Sequence, residues 1–274
     1  NLGTQADWPS HPDLLDWLAV EFVNRGWDIK ALLKLMVTSA AYRQSGAVDA
    51  PRLEIDPANR LLSRGPRFRL QAELIRDQAL AVSGLLNPEI GGPSVRPYQP
   101  EGIWSEFNFY GNLRYYKHDK NGNQYRRSLY TIWKRTAAPP GMTLFDMGSR
   151  EVCTVRRSRS NTPLQALVLM NDVTFLEAAR VLAERSMTGD GPEDWIRTAF
   201  RRATAREIES AELDILKGGY QRRLARFRET PAEATKLLAQ GEAPVNFSLD
   251  PNQLAALTTV ASLILNLDEV VTRE

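Results

Sequence analysis

The densest concentration of side chains able to do chemistry lies between Asp146 and Gln165. Arg150, Arg156, Arg157 and Arg159 stand there among Asp146, Glu151 and Cys153, and the segment runs through Asn161 into Thr162-Pro163-Leu164-Gln165. Thr162 followed three residues later by Gln165 is a capping box, with proline at the first helical position. Free amides at a helix N-terminus, strengthened by guanidinium groups, attract sulfate, phosphate or carboxylate. Arg150, Arg156, Arg157, Arg159, Thr162 and Gln165 are therefore the candidate anion ligands. Pro163 has no N–H and the capping box would use the Gln165 amide, so only Leu164 keeps a free donor and the arginines must do most of the binding. A plainer reading is that they pair internally with Asp146, Glu151 and carboxylates of neighbouring helices.

Other groups are weaker candidates. Cys153 could act as a nucleophile only with a base in reach, and His11 and His118 are the only histidines. A buried, inert thiol is the simpler expectation. Glu73 and Asp77, four apart on an expected helix, could share a cation or a proton, but Arg69 and Arg76 beside them suggest ion pairing instead. Asp119 to Asn123 imitates the start of a calcium loop, yet glycine falls fourth and Tyr130 twelfth, where the loop needs glycine sixth and an acid twelfth. Trp104, Phe107, Phe109, Tyr110, Tyr115 and Tyr116, interleaved with Asn108, Asn112 and Arg114, could stack on sugars or bases, or form core.

The elements that must carry these groups are mostly helices. Ser10 to Asp13 reads as a helix start, followed by Leu14, Leu15, Leu18 and Phe22 as a buried stripe until Arg25-Gly26. Asp28 caps a second helix with Ile29, Leu32, Leu33, Met36, Val37 and Ala40 at helical spacing, so the two form an antiparallel pair. A third helix spans 70–86, with Ile75, Ala79, Val82 and Leu86 facing the core. Residues 87–100, rich in proline and glycine, form a long irregular segment. Runs 113–117 and 125–134, rich in aromatic and β-branched residues, flank Asn121-Gly122 and suggest a β-hairpin. After Thr162 come helices interrupted near Asn171-Asp172 and resuming over 174–184, then others near 193–203, 207–228, 232–239 and 252–267. The expected fold is mainly α: a single irregular multi-helix domain over 1–274 with a small β-hairpin insertion in the middle. Its sub-regions are helical (1–90), loops and hairpin (91–160), and helical again (161–274).

Composition narrows the function classes. Hydrophobic residues are 43% and charged residues 25% of 274, values typical of folded domains. With 35 Lys+Arg against 33 Asp+Glu, no global field favours nucleic acid or an anionic membrane. No apolar run approaches the ~18 residues of a membrane span. A single cysteine permits no internal disulfide and no thiolate metal cluster. No metal site and no haem attachment motif is expected in this chain.

Several strings resemble a known family: His11-Pro-Asp-Leu-Leu-Asp-Trp-Leu-Ala, Thr38-Ser-Ala-Ala-Tyr-Arg, Asn59-Arg-Leu-Leu and Arg67-Phe-Arg-Leu-Gln-Ala-Glu-Leu-Ile-Arg-Asp in the first half. Gly91-Gly-Pro-Ser-Val, Arg126-Arg-Ser-Leu-Tyr and Arg150-Glu-Val-Cys-Thr-Val-Arg-Arg stand in the middle, then Asn161-Thr-Pro-Leu-Gln-Ala-Leu and Leu265-Asn-Leu-Asp-Glu. The chain is similar to the planctomycete domain of unknown function 1553 over nearly its whole length. The resemblance implies a C-terminal module that comes after another domain of unknown function and, further upstream, a cytochrome-c-like module carrying c-type haem. It implies an extracytoplasmic (periplasmic or cell-surface) setting, a link to polysaccharide metabolism, and a domain junction near Asn1. It assigns no catalytic residue; Asp146, Glu151, Cys153 and Asn161, with the candidate ligands above, are signature positions of unknown role. Three functions are expected on this basis: binding an anionic or carbohydrate ligand such as an anionic polysaccharide, an enzyme site on the Arg/Cys cluster at 146–165, or a structural partner for the upstream domains.

Overall fold

The computed structural model describes residues 5, 7–47, 49–106, 116–134, 137–151, 153–154 and 156–273. They group into two compact units, 1–68 with 273–274, and 69–272, so the expected helical sub-region 1–90 is divided after Phe68.

The first unit holds α1 (Pro12–Asn24), α2 (Ile29–Thr38) and α3 (Ala50–Ile55). The N-cap of α1 is His11, with no side-chain cap bond, rather than Ser10, whose hydroxyl is 3.0 Å from the His11 ring. Asp28 caps α2 as expected, accepting the Ala31 N–H at 3.0 Å. The two helices pack as a pair across the short link at Gly26. Asn59-Arg-Leu-Leu forms a tight turn in which Arg64 donates to the Asp56 and Pro57 carbonyls at 2.8 Å each.

The second unit is built on α4 (Ala72–Ser83), α7 (Pro163–Asn171), α8 (Val173–Ser186), α9 (Pro192–Thr204), α10 (Ser210–Glu229), α11 (Pro231–Leu238) and α12 (Pro251–Leu265). Three one-turn helices, α5 (Ile103–Glu106), α6 (Pro140–Thr143) and α13 (Asp268–Val271), complete it. At its centre α12 packs on α8, α9, α10 and α11. Alanines do this work: Ala178, Ala179 and Ala183 of α8 and Ala255, Ala256 and Ala261 of α12 are wholly buried. Their small side chains let the helix axes approach, and Leu182, Leu257 and Ile264 fill the space between. Helix α4 ends on Gly84 in the left-handed conformation (φ +85°), with the Leu85 N–H returning to Leu80 O at 2.8 Å.

The mainly α class stands, and the β content is a two-stranded antiparallel sheet of β1 (Phe68–Arg69) and β2 (Thr272–Arg273). It is not the expected mid-chain hairpin. Most of that hairpin's first arm lies outside the described residues. Asn121 and Gly122 do adopt the positive φ of a hairpin turn (+59° and +84°), but two 3-10 turns come next, Asn123–Tyr125 and Ser128–Tyr130. The second arm pairs instead with residues 87–95 through isolated bridges, Asn87 with Arg126 and Val95 with Thr131. The irregular proline-rich segment supplies the free backbone partners that the 3-10 turns need.

Candidate functional site

The segment 146–165 is held by an inward network. Asp146, in the left-handed region (φ +58°), accepts the Ser160 N–H at 2.6 Å, the Ser160 hydroxyl at 2.9 Å and a guanidinium N–H of Arg69. Arg69 also donates through Nε to Ser160 O at 2.7 Å. Burial pulls the Arg69 guanidinium below its ordinary value, with Asp146 opposing. Burial pushes the Asp146 carboxyl up, but the Ser160 bonds and Arg69 overcome it and leave it below the usual carboxylate range.

The capping box is present at the start of α7: the Thr162 N–H donates to Gln165 Oε1 at 3.1 Å. The buried Gln165 amide then donates to Leu144 O at 2.7 Å and to Ser160 Oγ at 3.1 Å, tying α7 to the loop before it. Arg157 pairs with both Glu73 oxygens at 2.9 Å. Arg150 stacks over Trp133, 5.1 Å from the ring centre. Arg156, Arg159, Glu151, Cys153 and Asn161 are exposed.

Expected pairings on α4 are redistributed. Arg69 serves Asp146 rather than Glu73, whose partner is Arg157. Asp77 accepts the Ser128 N–H at 2.7 Å and lies 3.7 Å from Arg76. His118 does not partner Cys153; its Nε2 is 2.9 Å from Glu242, and its ring lies 5.1 Å from Tyr98. Of the aromatic stretch, 107–115 lies outside the described residues. Trp104 is buried and meets Tyr116 edge-on at 4.9 Å, which makes this described part core.

Sequence reasoning missed the buried arginines. Arg76 donates to the Gln124 and Arg126 carbonyls and to Ser128 Oγ. Arg126, stacked 4.1 Å over Tyr130, donates to the carbonyls of Glu89, Gly91 and Pro93. In α8 the buried Glu177 accepts the Tyr125 hydroxyl at 2.8 Å and the Ala243 N–H at 2.6 Å, and the buried Arg180 donates to Ala243 O at 2.7 Å. The available signal was Glu177 and Arg180 three apart within the otherwise apolar, alanine-rich stretch Phe175–Ala183 of that helix.

Among the described residues no three His, Cys, Asp or Glu side chains gather as a metal site, and no helix is long and apolar enough to cross a membrane. The feature of the first unit most open to a partner is its apolar surface. Helices α1 and α2 bury no residue, and Leu15, Trp17, Val20, Trp27, Ile29 and Leu33 are each 51–66% exposed. Leu18 and Phe22 are only half-buried, so the expected buried stripe is not buried.

No curated protein and no solved structure matches the chain. Residues 1–220 match the family model described as PSD1, protein of unknown function (DUF1553), and the chain belongs to that family.

Proposed function

We propose that this chain is a protein-interaction module of a multidomain extracytoplasmic protein, and that α1 and α2 dock on a neighbouring domain of the same protein. The observation that carries the reading is that α1 carries apolar side chains around most of its circumference, interrupted by Asp13, Asp16 and Glu21, yet buries nothing. Helices of that kind are normally enclosed. Completing the burial of a half-exposed Leu, Ile, Val, Met or Trp is worth about 1 kcal/mol, so the ten such side chains on α1, α2 and their link offer roughly 10 kcal/mol gross. That is enough to drive association after its entropic cost. The family resemblance supports an upstream domain as the partner, with any c-type haem belonging to a module further upstream. The internal pairing of Arg69, Asp146, Arg157 and Gln165 supports a bracing role for 146–165 over an anion or polysaccharide site or an enzyme centre there.

Hydrogen exchange tests the proposal. In the isolated chain, amides of α1 and α2 should exchange at least about a hundredfold faster than those of α12. In the intact multidomain protein they should become protected. Equal protection of α1 and α12 in the isolated chain, or no gain in the intact protein, overturns the reading.

A further inference from the structure

Helix α11, the loop after it and the first turn of α12 surround a cavity of about 270 Å³. Buried Leu238 and Leu254 form its floor, and half-buried Val245 and Leu249 line its sides. Phe247 also lines it but is 92% exposed, so its ring does not pack into the space beside it. None of the residues around the cavity is charged. Its two polar side chains are engaged within the chain. The Thr235 hydroxyl donates to Pro231 O at 3.2 Å, and Asn246 Oδ1 accepts the Ser248 N–H at 3.1 Å and the Ser248 hydroxyl at 2.6 Å. Water in such a space finds few partners, so an apolar occupant gains by displacing it.

The loop wall of the cavity is fixed by buried charge on α8. Glu177 accepts the Ala243 N–H at 2.6 Å, and Arg180 donates to Ala243 O at 2.7 Å and to Pro244 O at 3.3 Å. Glu184 accepts the Asn246 N–H at 3.4 Å. At the other end Asp250 caps α12, accepting the Asn252 and Gln253 N–H groups at 2.9 Å each. The segment between Ala243 and Asp250 is therefore tied at both ends, and the cavity exists before any ligand arrives, which lowers the cost of binding.

We propose that this cavity binds a small, uncharged aromatic or alicyclic molecule of up to two rings. An apolar cavity of about 150 Å³ admits benzene, so 270 Å³ has room for a body the size of indole. A charged group would lose its hydration and meet no opposite charge in the lining. A polypeptide would bring backbone N–H and C=O groups to a rim whose polar side chains are already engaged, so a free small molecule fits better than a docked peptide. The site belongs to the second unit and is independent of the docking reading for α1 and α2.

The test is an NMR titration of the full chain with indole, following the methyl resonances of Leu238, Val245 and Leu254. They should shift saturably with a Kd of roughly 0.05–2 mM, the range open to a nine-heavy-atom ligand. Indole-3-carboxylate, the same rings with a charge, should bind at least about tenfold more weakly. Ala239→Phe, which fills the cavity from its rim, should abolish the shifts. No saturable shift up to about 10 mM indole, or shifts that leave these three methyl-bearing residues unmoved, overturns the proposal. Equal binding of indole and indole-3-carboxylate overturns it too, and that comparison uses the wild-type chain, so it stands even if Ala239→Phe fails to fold. N-acetyltryptophanamide binding about tenfold more tightly than indole would make the occupant a polypeptide side chain and overturn the free-ligand assignment.

Discussion

Replacing Asp146 separates a bracing role for 146–165 from a ligand-binding one. Its carboxylate receives the Ser160 N–H and hydroxyl and the Arg69 guanidinium, and the Arg69 side chain is only 8% exposed against 21% for Asp146. Breaking a buried pair by removing one partner costs about 3–5 kcal/mol, and the remaining exposure of Asp146 reduces this to about 2–4 kcal/mol. Alanine at φ +58° adds about 1 kcal/mol of left-handed strain. Asp146→Ala should therefore lose about 3–5 kcal/mol, a fall of about 1–2 M in the urea midpoint at m near 2–3 kcal/mol/M. Asp146→Asn tolerates the backbone and keeps one acceptor, so about 1–2 kcal/mol is expected. The Asp146 carboxyl lies below its ordinary value in the folded chain. Its contribution is thus present above the unfolded value near 3.9 and lost as pH falls through the lower folded value. The gap between wild type and Asp146→Asn should be constant from about pH 7 to 5 and close below about pH 4. If Asp146→Ala loses under about 1 kcal/mol, or the gap stays constant in acid while the chain is still folded, the bracing account is wrong.

Three further outcomes are expected. Arg157→Ala should cost about 1 kcal/mol through Glu73, and Arg156→Ala less than about 0.5 kcal/mol, both by chemical denaturation; saturable sulfate binding lost in Arg156→Ala would return the cluster to the ligand reading. Gly241→Ala should destabilise by about 3 kcal/mol or more, because φ is +88° and the new Cβ would lie 2.2 Å from the Glu177 carboxyl; a thermal midpoint unchanged from wild type would contradict this packing. Burial pushes the Asp172 carboxyl above its ordinary value, with the Thr174 bonds and Arg76 opposing, so its charge opposes folding at neutral pH and the cost is relieved as pH falls through the raised folded value. Asn caps helices as well as Asp, so Asp172→Asn should be the more stable form at pH 7 by chemical denaturation, with the advantage shrinking toward pH 4; lower stability at pH 7 would reverse the sign.

Helix content is legible in the sequence because its signals are local. Thr162-Pro163 opens α7, Asp172 divides it from α8, and Asp28 starts α2, each through a cap or a periodicity that needs no distant partner. The hairpin is misplaced because Asn121-Gly122 specifies a turn but not the pairing of the chain beyond it; residues 87–95 take that pairing through Asn87 and Val95. Spacing along one helix assigns Arg69 to Glu73, whereas the Ser160 carbonyl and Asp146, distant in sequence, compete for the same guanidinium. The α1 stripe reads as core by periodicity alone, but periodicity cannot say whether its cover lies within the same compact unit.

The buried arginines explain why so much proline-rich chain can be ordered without strands. Segments such as 87–100 and 137–148 leave carbonyls with no ladder to join, and a buried carbonyl needs a donor. A guanidinium offers five N–H groups in a planar fork, so one side chain can close several carbonyls at once. Arg126 does this for Glu89, Gly91 and Pro93, Arg76 for Gln124 and Arg126, Arg69 for Ser160 and Phe145, and Arg180 for Ala243 and Pro244. Lysine, with three donors on a compact head, cannot span the same carbonyl sets. These four arginines lie outside the 146–165 cluster that suggests an anion site in the sequence, so part of the chain's arginine content answers to its own backbone. The peptide carbonyls of the irregular loops act as a distributed, uncharged counterpart to the guanidinium groups.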